Sequence, residues 1–503
     1  MSAPVRTSPD GAAGGGRLRR LTPALLAERT FRRYWSAQTI SMFGDQITSI
    51  ALPLTAVLAL HAHAAEMGYL TGAVWLPSLL FAMHAGVWAD RFGRRRVLMM
   101  TADAGRAALL TSVPVCYALH VLTFGQLYGV AFAAGTLSIL FTVCDSAISV
   151  AVTPGGRFVE SNSLVYASRA FSFVAGPSLG GLLVQLLTAP FTMVADALSF
   201  LGSAFFLSRI SPIEPQADPG GKGSLTAGAR FIARSPVVRA SLVSASIVNF
   251  FDFLFITLYA LYATRTLHVR PGMLGLILGA GAVGGVLGSL ATRRLSGRIG
   301  VGWTYVIGCF GFPAPLVLWP LAGGPTPAVL GMLFAGEFLS GFGLMLLDIS
   351  IGAIFAVVIP DELRSRVSGA FQAVNYGTRP AGAAVAGVLG SLIGLRPTLF
   401  VAAIGGATAF IWLLPTPLPR FRMPPAAAGA GRTTDYPEEL DACPRAKFYG
   451  LTVFHRARTR GGRVTAPGGC AAAGGRGGPR CARAGCGPSR PWPRSPCRRR
   501  CPG

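Results

Sequence analysis

Apolar runs long enough to cross a bilayer, about 20 residues at a rise of 1.5 Å each, recur along this chain between short polar breaks. They begin near Ser36, Met67, Val97, Phe124, Leu164 and Phe191, and again near Val238, Met273, Trp303, Ala328, Val367 and Thr398. The pattern predicts an all-α polytopic membrane protein with twelve transmembrane helices. The breaks alternate in charge. One set is basic: Arg17 to Arg33, the run from Asp90 to Arg96, Arg157, the stretch holding Arg209, Lys222 and Arg230, then Arg293 with Arg294, Arg364 with Arg366, and Arg420 onward. The other set, at 61–66, 120–125, 188–190 and 323–327, holds neither Lys nor Arg, while Arg265, Arg270 and Arg396 depart from the alternation. Lys and Arg collect in cytoplasmic loops. The expected topology is therefore multi-pass, in the cell inner (cytoplasmic) membrane, with both termini cytoplasmic.

Between Ile210 and Pro236 the chain turns polar and rich in Pro and Gly, which reads as a linker. The organisation predicted is a cytoplasmic N-terminal segment (1–35), a six-helix half (36–209), a cytoplasmic linker (210–237), a second six-helix half (238–418) and a basic tail (419–503). The halves read as copies. A shift of a little over 200 residues brings Asp45 near Asp252, the Gly86 hinge near Gly288 with Arg293 and Arg294, and Asp145 near Asp348. Thr292 then stands where the hinge carries Asp90. Beyond about Phe421 the hydrophobic periodicity stops. That Arg-, Gly-, Pro- and Cys-rich tail reads either as a disordered segment touching anionic headgroups or as an out-of-frame extension with no function.

Composition narrows the class. A hydrophobic fraction of 51%, only 13% charged residues and a mean hydropathy of +0.52 are those of a chain whose main solvent is lipid. The formal net charge of +25 sits between the apolar runs and in the tail, so no nucleic-acid partner is needed to explain it. Cys116, Cys144 and Cys309 lie singly in apolar runs and the tail cysteines have no metal-ligand spacing, so neither disulfides nor a metal is expected. A P-loop is lacking, which argues against ATP-driven transport. Nor do the loops carry a catalytic cluster, so an enzyme is not expected.

Ionisable groups inside the runs are functional candidates, because burying them costs several kcal/mol unless they are paired or neutralised. Asp45 falls near the middle of the first run and Asp252 matches it in the seventh; Glu337 lies mid-run in the tenth and Arg379 in the eleventh. These four are the candidates for proton coupling or substrate contact, Asp45 first, with Arg379 or Arg169 a possible partner for an acid. Asp103 and Arg106, one turn apart, read as a structural pair, and Asp196 and His84 as structural too. Phe43, Phe141, Phe253, Phe255, Tyr259 and Phe334 are expected along a central cavity. An apolar wall of that kind suits hydrophobic or amphipathic substrates.

The hinge resembles the signature of the major facilitator superfamily, Gly-x-x-x-Asp-Arg-x-Gly-Arg-Arg, here Gly86, Asp90, Arg91, Gly93, Arg94 and Arg95. The wording of Ser41 to Asp45 and of Ala51-Leu52-Pro53 is similar to the bacterial drug-efflux branch that includes macrolide-efflux and enterobactin-export proteins. The resemblance implies two pseudo-symmetric halves and a cytoplasmic gate in which Asp90 faces a helix N-terminus of the other half and Arg94 reaches Asp145. Gly176-Pro177-Ser178-Leu179-Gly180-Gly181 resembles in part a helix-packing motif of drug/proton antiporters. Together these imply proton antiport and export of drug-, macrolide- or siderophore-like molecules by a chain acting as a monomer. Its only energy source would be the proton gradient, with no cofactor. The alternatives are an uptake facilitator or proton symport permease and, more remotely, a polytopic membrane enzyme.

Overall fold

The computed structural model describes residues 24–154, 157–210 and 225–422, with residues 82–92, 159, 225–227, 361, 362 and 365 described in their backbone only. Every described residue belongs to a unit spanning Met1–Asp435; the chain's second unit is Tyr436–Gly503. The described residues form helices and no strands. In order these are α1 (Arg29–Leu58), α2 (Ala64–Phe92), α3 (Arg95–Ala118), α4 (Phe124–Val152), α5 (Phe158–Leu187) and α6 (Ala189–Ser208). A short α7 (Leu225–Arg234) precedes α8 (Pro236–Arg265), α9 (Pro271–Ile299), α10 (Val301–Gly311), α11 (Leu318–Leu321), α12 (Thr326–Val358), α13 (Asp361–Leu392) and α14 (Leu395–Ala407).

Nine membrane-length apolar segments occur among the described residues: α1, α4, α5, α6, α8, α9, the α10–α11 segment, α12, and α14 with its following turn. The α2, α3 and α13 helices match them in length at 29, 24 and 32 residues. They carry charge, however. Arg95, Arg96, Asp103 and Arg106 fall in α3, and Asp361, Glu362, Arg364, Arg366 and Arg379 in α13. Three helices begin well before their apolar runs, α1 at Arg29, α5 at Phe158 and α13 at Asp361, because a helix continues through its polar first turns after the hydrophobic pattern has stopped.

Local chemistry accounts for the breaks. Ser235 and Thr123 cap α8 and α4 by accepting from the Val238 and Gln126 amides, and Pro236 and Pro271 take first-turn positions where an N–H is dispensable. Pro313, which has no amide to donate, follows α10, and the chain resumes through a 3₁₀ turn into α11. Gly93 turns α2 into α3 at φ +63°, a left-handed value that glycine reaches without penalty. The basic stretch after the polar linker is itself a helix, α7. Its Gly228 lies against the Arg366 carbonyl of α13, and Ile232 is buried with Val238, Val367 and Phe371.

Helices α1–α6 pack on one another, and α8–α14 likewise; the halves meet along α5 with α9 and α2 with α13. The helix starts at Arg29, Arg95 and Phe158 and the ends at Val152 and Ser208 gather at one end of the bundle, called the basic end below. There Arg33 and Arg96 donate to the carbonyls of Arg209 and Ile210, and the Leu25 amide to Glu160. Among the described residues, close backbone approaches between halves lie toward the opposite, far end. A methyl group on Gly68 of α2 would come 2.9 Å from the Gly387 Cα of α13, and one on Gly181 of α5 would come 2.9 Å from the Gly275 Cα of α9. The halves are thus in backbone contact toward the far end.

Candidate functional site

One face of α1 organises the first half. Gln38 and Asp45 lie four and eleven residues after Tyr34, which at 3.6 residues per turn aligns the three. The Asp45 side chain is 53% exposed although it stands near the middle of a 30-residue helix. Its Oδ1 lies 3.7 Å from Nη1 of Arg106 on α3. Arg106 Nη2 donates to Asp103 one turn earlier, and Nη1 donates to Ser138 Oγ of α4 at 3.3 Å. The guanidinium is stacked between Phe141 and Phe200, 4.7 and 4.0 Å from the ring centroids. Asp196 of α6 completes the group. It is 1% exposed, accepts from Ser199 Oγ at 2.9 Å, and lies within electrostatic range of Asp45 and Arg106. Two carboxylates thus pair with or approach one guanidinium, and a third lies within its electrostatic range.

The second half repeats the theme with different partners. Arg379 of α13 donates from Nε to Asn249 Oδ1 at 3.2 Å and lies over three rings, Tyr376 at 4.0 Å, Trp75 at 4.2 Å and Phe253 at 4.9 Å. Trp75 belongs to α2, so the cage spans both halves. Among the described residues Arg379 makes no ion pair within 4.0 Å; Asp252 interacts with it electrostatically from farther away, and Glu337 with Asp252. The sequence candidates thus resolve into two centres, Asp45 with Arg106 and Asp252 with Glu337 and Arg379. Several expected cavity-wall residues lie elsewhere. Phe141 is buried beneath Arg106, while Phe255 and Tyr259 are buried edge-on to Trp319 in the core of the second half.

Of the gate residues, the side chains of Gly86, Asp90 and Arg91 lie outside the described residues. Gly93 makes the turn, and Arg94 is exposed at the start of α3. Asp145 instead accepts from Tyr34 Oη at 2.8 Å and from Gln38 Nε2, both on α1, and no ion pair joins it to Arg94 among the described residues. The helix-five motif faces two ways. Gly176 and Gly180 admit Gln46 and Ile47 of α1, while the Pro177 carbonyl and Gly181 meet Gly275 of α9. Ser178 donates to the Gly275 carbonyl at 3.4 Å. The glycines of α9 divide accordingly: Gly275 and Gly279 meet α5, whereas Gly281, Gly284 and Gly288 meet α12.

Sequence reasoning set aside Asp196 and treated Arg106 as a neutraliser of Asp103 alone. The available signal was Gly44: a side chain there would collide with Asp196 and Ser199, and a glycine in mid-helix marks a close approach. Trp75 carried no such signal, because an aromatic in an apolar run looks like any other core residue.

Two packed helical halves, with an arginine and carboxylates in the interior of each, define a membrane transporter of the major facilitator type. The model of the transmembrane secretion effector family matches residues 21–439, and the chain belongs to that family. It is 26% identical over 397 residues to the multidrug efflux pump Tap of Mycobacterium tuberculosis, covering 73% of this chain and 88% of that one. To the enterobactin exporter EntS of Citrobacter koseri it is 24% identical over 416 residues, covering 78% and 94%. Among solved structures, a bacterial homologue of the iron transporter ferroportin in an inward-facing state superposes with a TM-score of 0.63 at 17% identity, over 77% of this chain and 98% of that one. The nucleoside transporter NupG does so with 0.63 at 12% over the same shares. These two carry the fold alone.

Proposed function

We propose that this transporter exports hydrophobic or amphipathic small molecules across the cytoplasmic membrane by proton antiport and alternating access. In this reading twelve spans place the basic end and both termini in the cytoplasm, and the protein works as a monomer without a cofactor. The observation that carries the reading is Asp45, a half-exposed carboxylate at mid-helix within 3.7 Å of a buried guanidinium. Such a group is open to protons, and its charge changes what Arg106 must neutralise. Efflux rather than uptake is supported by the relatives named for multidrug efflux and enterobactin export.

Protonation of Asp45 would free Arg106 to serve the other carboxylates, and ionisation would draw it back. A ligand that binds one arrangement better shifts the halves toward it. At the basic end, Asp145 would exchange its α1 partners for Arg94 when that end closes. Replacing Asp45 with Asn keeps the shape and removes the charge. We expect Asp45→Asn to lose concentrative transport in everted vesicles while keeping downhill exchange of the same substrate. Undiminished gradient-driven accumulation by the variant would remove Asp45 from the mechanism.

A further inference from the structure

Asp196 is more than a packing residue. We propose that it is a second proton station, holding the proton that Asp45 gives up and returning it; this rests on the proton-antiport reading above. The argument begins with burial. Asp196 is 1% exposed, and while its Oδ1 accepts from Ser199, its Oδ2 has no hydrogen-bond partner. Thr48 Oγ1, also buried, faces it from α1 within hydrogen-bonding reach. An ionised carboxylate sealed in such a place costs several kcal/mol, whereas the acid form places a proton there that can be donated to Thr48.

Charge balance points the same way. The groups facing Asp196 are Asp45 with Thr48 on α1, Arg106 with Asp103 on α3, and Ser199 on its own helix. Arg106 is bonded to Asp103 and lies 3.7 Å from Asp45, so the guanidinium serves those two first. With all three acids ionised the centre would hold two uncompensated negative charges inside the membrane, and like charges at this range cannot both persist. Asp45, half exposed, is the member that meets solvent, and Asp196, sealed, is the member that stores.

The sequence builds this contact deliberately. Gly44, next to Asp45, has no side chain, and one placed there would overlap the Asp196 carboxylate and the Ser199 hydroxyl. The transfer is balanced as written: the Asp196 carboxylic acid loses its proton to the Asp45 carboxylate, leaving Asp196 ionised and Asp45 neutral, with Arg106 the shared counter-ion throughout.

The test compares Asp196→Asn and Asp196→Glu in proteoliposomes carrying an imposed proton gradient, beside the unaltered protein. A proton station predicts that Asn, which cannot ionise, abolishes gradient-driven accumulation while downhill exchange continues, and that Glu restores accumulation at least in part. A purely structural residue predicts the reverse: Asn is isosteric and can still accept from Ser199, whereas Glu must fit an extra methylene against Gly44. Gradient-driven accumulation by the Asn variant at the level of the unaltered protein overturns the inference. Should Asp196→Asn fail to fold, the milder Ser199→Ala decides. Loss of that hydrogen bond should move the pH midpoint of coupled transport, and an unmoved midpoint counts against Asp196. If the unaltered protein itself ignores the proton gradient, the antiport reading fails and the inference falls with it, whereas a gradient response kept by the unaltered protein and by the Asn variant alike overturns the inference alone.

Discussion

Arg106 binds Asp103 and approaches Asp45 while lying between two rings, and Arg379 lies against three rings without an ion pair among the described residues. The two guanidinium groups should therefore respond differently to removal. Taking one partner from a buried ion pair leaves a charge uncompensated and costs about 3–5 kcal/mol. Arg106→Gln should destabilise the protein by roughly that amount in a thermal unfolding assay in detergent. Adding Asp103→Asn to the same chain should recover much of the loss, because the stranded carboxylate goes with it. A double variant no more stable than the single one would mean that Arg106 acts through its rings and not its charge. At this scale the sequence was legible where partners are close in the chain. Asp103 and Arg106 are three residues apart and were readable as a pair. The approach of Asp196 to Gly44 and the Tyr34–Asp145 hydrogen bond, 111 residues apart in sequence, depend on helix rotation, which hydropathy does not encode.

Helices meet between the halves through residues that lack side chains. Gly181 and Gly275 bring α5 and α9 together, and Gly68 and Gly387 do the same for α2 and α13. Lipid supplies little hydrophobic drive for helix association, so close backbone packing carries it. Gly68→Ala or Gly181→Ala should cost about 1–3 kcal/mol by overpacking and reduce transport by opening the far-end contact. Gly72→Ala, one turn from Gly68 with open space around it, is the control and should leave both stability and transport intact. Equal effects at Gly68 and Gly72 would assign the loss to helix propensity and not to the contact. The helices were readable as elements because their apolar runs exceed the bilayer thickness. Their polar first turns, and the helical character of α7, were not, since membrane length is a weak guide once a helix leaves the hydrocarbon.

Across the whole molecule, the two halves are similar in plan and unequal in chemistry. The recurrence of Asp45 in Asp252 and of the glycine hinge is what the sequence offers for likeness between halves, but the inequality lies in partners: an ion-paired arginine in one half, an aromatic cage reaching across to Trp75 in the other. The residues just after the last span have a role as well. Pro419 is buried and the Phe421 carbonyl accepts from the Gly302 amide, so the fold continues through the first residues of the stretch expected to be tail. Removing residues 423–503 should leave transport and thermal stability unchanged, while removing 418–503 should lower both. Loss of transport with the shorter deletion would give the tail a function that its composition does not suggest.

Proton-coupled export is the claim on which the others depend, and the most direct measurement is substrate movement in everted membrane vesicles given an inward-acidic gradient. Hydrophobic and amphipathic compounds, macrolides and siderophores among them, should accumulate inside against their own gradient, collapse on addition of a protonophore, and fail to accumulate with Asp45→Asn. Accumulation that survives the protonophore, or movement only down the substrate's own gradient, would contradict the account.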